Sequence, residues 1–150
     1  MFGASVSAEM RAAVQPLIDH RRAQVDVGPF KIFEGPTGRR PDESALGWIE
    51  RMGASMQPVN PANGIPYSVL LVGTPADIPF EFQYHLDIYW AVGRIWFETP
   101  EEYGRYAATG IGCEGQAALS AKRVAIFAPA HEGDQATRAF SEYVATPLSV

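Results

Sequence analysis

Six residues, Tyr67-Ser68-Val69-Leu70-Leu71-Val72, ended by Gly73, constrain this fold more than any other segment. The run does not alternate between apolar and polar positions, so it has no face to give to water. It reads as a strand buried on both sides, the mark of a parallel sheet. Parallel strands need a long crossover, usually a helix, between them, and the rest of the chain supplies candidates. Ala91-Val92 and Ile95-Trp96-Phe97 read as a second strand, interrupted at Gly93-Arg94 by a close approach or bulge. Lys122 to Phe127 reads as a third. Thr99-Pro100-Glu101-Glu102 opens a helix with a cap, a proline at the first position and acids in the first turn, continuing through Tyr103, Tyr106 and Ala107 until Gly110 and Gly112 weaken it. Asp134 caps a last helix through Ala139, Phe140, Tyr143 and Val144.

Ahead of this lies a different composition. Ser7 caps a helix that places Met10, Val14, Leu17 and Ile18 at helical spacing, with Pro16 as a possible bend. Phe30-Lys31-Ile32-Phe33 reads as a short alternating strand closed by Gly35-Pro36, and Asp42 as the cap of a short helix through Leu46, Trp48, Ile49 and Met52. The stretch QPVNPANGIP, from Gln57 to Pro66, is loop chemistry and the expected boundary between a lobe at 1–56 and a main domain at 57–150. The expectation is an α/β fold, three-layer, with a mostly parallel sheet.

Charge excludes one class of partner. The formal net charge of -5 leaves no concentrated basic face, so nucleic acid is not expected. No apolar run is long enough for a membrane span and no signal-peptide pattern opens the chain, which makes the cytoplasm the expected compartment. A single cysteine, Cys113, excludes an internal disulfide and a multi-cysteine zinc site, and no His or carboxylate cluster has ligand spacing. No metal and no cofactor are expected.

Candidate chemistry is sparse. Cys113 could be a nucleophile if a base lay near it, but a lone cysteine is more often an inert small hydrophobe, and none of His20, His85 and His131 is tied to it by context. His85 has Asp87 two residues on, which could orient it; a histidine bonded to backbone is the commoner case. His131-Glu132-Gly133-Asp134 follows a strand, where ligands bind in open parallel sheets, although Asp134 also serves as a helix cap. Gly73-Thr74-Pro75 is no phosphate cradle, because the glycine-rich spacings are missing and Pro75 lacks a donor.

With these elements laid out, YSVLLVGTPADIPF (Tyr67 to Phe80) followed by AVGRIWFETPEEYGRYA (Ala91 to Ala107) resembles the opening subdomain of gingipain-type peptidases within the caspase-like fold. KRVAIFAPAHEGDQATRAF extends the resemblance to the next strand and helix. The resemblance implies the N-terminal portion or a subunit of a caspase-like cysteine endopeptidase, its sheet incomplete within these residues. The family's histidine follows a later strand in a His-Gly context, and its cysteine follows one strand further. This sequence has no His-Gly, and Cys113 precedes the strand at Val124 to Phe127. The resemblance therefore implies no catalytic residue here, and a partner in the remainder of the peptidase or another protein chain. It also implies that the loop Pro129 to Asp134 shapes the substrate pocket, with His131 and Asp134 contacting a peptide or protein substrate, Asp134 favouring a basic side chain. The alternative is an inactive α/β interaction module holding a protein partner through exposed aromatics, including Trp90 and Trp96. A nucleotide-binding regulator rests on fold analogy alone.

Overall fold

Ser7 begins the first helix as its sequence suggests: the side chain accepts from the Met10 backbone N–H at 3.2 Å, and α1 runs Ala8–Ala23 with Val14 and Leu17 buried. The computed structural model describes residues 1–26, 28–56, 59–114 and 126–148. They form two compact units, Met1–Gly115 and Gln116–Val150.

In the first unit α2 (Ala45–Arg51) is capped by Ser44, not Asp42, which stands outside the helix at φ 58°. β1 (Ser68–Val72) and β2 (Ala91–Ile95) pair in parallel, Ser68 opposite Ala91 through Val72 opposite Ile95. This is a small mixed α/β unit around a two-stranded parallel sheet. β2 runs through Gly93-Arg94 without a bulge: a side chain at Gly93 would meet Leu70 only at ordinary contact distance, so nothing forces a break. The crossover holds α3 (Phe80–Asp87), which buries Phe82 and Leu86 one turn apart. α4 (Pro100–Glu114) opens with a reciprocal cap: Glu102 N–H reaches Thr99 Oγ1 at 3.4 Å while Glu102 Oε2 accepts from Thr99 N–H at 3.0 Å. It continues past Gly110 and Gly112 because it lies packed along α1, Gly110 facing Leu17.

The other edge of β1 is occupied by the first residues of the chain. The Met1 amine donates to Leu70 O at 2.7 Å, Val72 N–H to Met1 O at 2.9 Å and Gly3 N–H to Val72 O at 2.7 Å, with Phe2 parallel to Val72. Phe30 to Phe33 is accordingly not a strand: its place beside β1 is taken, and Phe33 O only accepts from Phe2 N–H at 2.9 Å.

Alternation along β1 divides the core. Val69 and Leu71 join Trp48, Ile49, Phe82 and Leu86 on the α2 and α3 side, together with Phe33, Ile65 and Ile78. Leu70 and Val72 join Val14, Leu17, Ile95, Tyr103 and Ala107 on the α1 and α4 side. Residues from both sides of the 57–66 segment thus share the first cluster. Trp90, expected as an exposed aromatic, is 3% exposed within that cluster, where the turn after α3 carries it; Trp96 does lie exposed.

In the second unit Asp134 caps α5 (Gln135–Phe140), which continues as a π-helical turn, Ser141–Ala145, and a last turn, Thr146–Leu148. The expected strand from Lys122 falls largely outside the described residues. Ile126 and Phe127, which are described, are exposed and in no strand.

Candidate functional site

The carboxyl end of the parallel pair is where open α/β sheets bind ligands, and here it gathers Ser5, Thr74, Asp77 and Arg94. Gly73 leaves β1 at φ 143°, and a side chain on it would come 3.1 Å from Gly3 Cα, so only glycine lets the two backbones approach. Asp77 is the hub: Oδ1 accepts from Ser5 N–H at 3.3 Å, Oδ2 from the Ser5 hydroxyl and from Thr74 Oγ1 at 3.3 Å. Arg39 Nη1 donates to Asp77 O at 3.2 Å.

Arg94 lies beside this hub in β2. Its Nε donates to Gln83 Oε1 at 2.8 Å, Nη1 to Gly73 O at 3.2 Å and Nη2 to Ile78 O at 2.6 Å. All three acceptors are neutral. Burial without a facing carboxylate holds the guanidinium below its ordinary pKa, yet it remains a cation. The arrangement can bind polar or anionic groups. Among the described residues no imidazole is bonded to Ser5, Thr74 or Asp77.

Two clefts lie in the first unit. One of about 270 Å³ is lined by Arg39, Asp42, Glu43, Glu81, Phe82 and His85. His85 Nδ1 lies 2.8 Å from Glu81 O, which can only accept, so Nδ1 carries the proton; the orienting group is that carbonyl, not Asp87. The larger, about 610 Å³, opens on the α1 and α4 side and is mostly apolar, with Leu17, Ile18, Phe30, Tyr67, Leu70 and Tyr106 among its walls. Near it α1 and α4 are clasped at their ends. Glu114 accepts from Arg21 Nη1 and Gln24 Nε2, each at 2.8 Å, and lies 2.9 Å from His20 Nε2. The Arg21, His20 and Gln24 hydrogen bonds hold its carboxyl down at about 2.

Cys113 is exposed in the last turn of α4, and among the described residues no histidine is bonded to it. In the second unit His131 and Asp134 fall in one turn. Asp134 Oδ1 accepts from Ala136 N–H at 2.9 Å and Thr137 N–H at 3.3 Å; the His131 backbone N–H donates to Thr137 Oγ1 at 3.2 Å. Both residues are exposed. Among the described residues no group of three or more His, Cys, Asp or Glu could hold a metal, and no helix is long and apolar enough to cross a membrane. The residues missed from sequence are Ser5, Asp77 and Arg94. Only Arg94 left a signal there, as a cation at the end of an apolar strand.

No family model matches the chain, and neither a curated protein nor a solved structure does.

Proposed function

We propose that the chain is the opening, non-catalytic part of a caspase-like cysteine endopeptidase whose cysteine and histidine lie outside these 150 residues. The observation that supports it is the unit from β1 to α4: strand, helix, parallel strand and helix, in the order the resemblance implies. The absence of any bond between Cys113 and a histidine among the described residues agrees with it. In such an enzyme a thiolate attacks the peptide carbonyl, and histidine takes the thiol proton and returns it to the leaving amine. His131 and Asp134 would contact the substrate: the cap uses Asp134 Oδ1, which leaves the other oxygen to accept from a basic side chain.

The 150 residues alone should not hydrolyse peptides with Arg or Lys before the scissile bond, and Cys113→Ala should match the parent. Extended in its reading frame through a His-Gly strand end and a cysteine strand end, the protein should hydrolyse them and lose that activity when the later cysteine is replaced. Turnover by the short chain that Cys113→Ala abolishes would sink the reading, as would a reading frame without those strand ends. The interaction-module reading is favoured by a separate observation, the aromatic row on the outer face of α3.

A further inference from the structure

Helix α3 buries Phe82 and Leu86 and turns a second apolar row outward: Phe80, Tyr84 and Ile88 are 48%, 63% and 64% exposed. At four-residue spacing the three share one face, and the Phe80 and Tyr84 rings stack at 6.0 Å. A contiguous exposed apolar row marks a contact surface. The charges at its two ends indicate what it contacts. At the N-terminal end the Arg94 guanidinium lies 5.1 Å from the Phe80 ring centre and donates only to neutral oxygens. At the other end Asp87, the last residue of α3, is exposed and has no ion pair among the described residues. Each charge sits at the end of α3 that the helix dipole disfavours for it.

Asp87 follows Phe80 by two turns, so it returns to the same flank of the helix, the one that carries Gln83 and Arg94. A cation at one end of an apolar row and an acid at the other make the row complementary to itself run backwards. We propose that α3 is the interface of a homodimer, its two copies antiparallel across a two-fold axis at Tyr84. Phe80 then meets the partner's Ile88, Tyr84 meets the partner's Tyr84, and Arg94 comes within a turn of the partner's Asp87. A two-fold axis perpendicular to the plane of the helices keeps like flanks together, so both ion pairs form at once. The three side chains offer roughly a few hundred Å² per copy, under the ~800 Å² per partner of a stable complex, so the dimer is weak and concentration-dependent. It does not depend on the peptidase reading.

Sedimentation of the full chain from about 5 to about 500 µM, a range that brackets weak dimers, reads the association directly. The mass should rise toward that of two chains. Tyr84→Asp sets two carboxylates against each other at the axis, and Asp87→Arg sets like charges opposite; each should raise the dissociation constant by at least about tenfold. Both sites are exposed, so thermal melts should match the parent. Tyr67→Asp, at an exposed aromatic away from α3, should leave the constant unchanged. A chain monomeric throughout, a dimer that Tyr84→Asp weakens no more than Tyr67→Asp, or one indifferent to Asp87→Arg overturns the proposal. Should a charge variant fail to fold, Tyr84→Cys in a Cys113→Ser background decides: oxidation should link two copies through that position, and a chain that does not crosslink overturns it.

Discussion

The two faces of the β1–β2 pair are closed by different means. On the α2 and α3 side aromatics interlock: Trp48 meets Phe33 edge-on at 5.1 Å and Phe82 at 5.8 Å, while its Nε1 donates to Thr37 O at 3.0 Å. On the α1 and α4 side aliphatic residues and Tyr103 pack beside a cleft of about 610 Å³, and the helix ends are tied by the exposed bonds to Glu114. One sheet thus has a side fixed by shape and a side fixed partly by charge. Large rigid rings leave no room to relax around a vacancy, whereas small side chains next to open space do. Stability should therefore be distributed unevenly across the sheet.

The strongest test is Trp48→Ala. It removes a fully buried indole and leaves the Thr37 carbonyl without its donor, so it should cost about 3–5 kcal/mol in chemical denaturation. Equal tolerance of Trp48→Ala and a substitution on the other face would erase the contrast. Next comes the Met1 amine at the sheet edge, whose pKa burial lowers from 8.0 to about 5. Between those values the unfolded chain binds the proton and the folded chain does not. Its contribution to stability is therefore complete above pH 8 and is lost as pH falls toward 5. Urea midpoints across that window should rise with pH; a flat profile would mean that the amine is hydrated. Leu17→Ala, beside the cleft, should cost less than Trp48→Ala, about 2 kcal/mol, because its surroundings can close in. The smallest effect is at Glu114. Its carboxyl is held down at about 2, so the clasp is complete above the ordinary carboxylate pKa and fades as pH falls toward 2. Glu114→Gln should remove that acid-side slope and leave the Met1 window untouched.

Elements with local causes were legible in the sequence. Ser7, the Thr99 to Glu102 cap and Asp134 each satisfy backbone donors within three residues, and β1 needs only its own apolar run. α3 was not legible. Pro79 offers it no capping side chain, and Phe80 and Tyr84 beside Phe82 and Leu86 blur the 3.6-residue period. Gly93-Arg94 read as an interruption because the neighbour that fills the space above Gly93, Leu70, is set by register alone. The candidate site was the least legible part. Arg94 is defined by carbonyls of Gly73 and Ile78, and Asp77 by Ser5, partners that no local pattern reveals. His131 and Asp134 were named as substrate contacts by the resemblance to caspase-like peptidases and by no local pattern.

The strip formed by Met1, Phe2 and Gly3 carries a consequence for local opening. Its backbone bonds run to Phe33, Leu70 and Val72, all distant in sequence, so none of them forms until those segments are in place. An edge held only by such bonds can peel away while β1 stays paired with β2. Opening there bares the outer edge of β1 and leaves the parallel ladder whole.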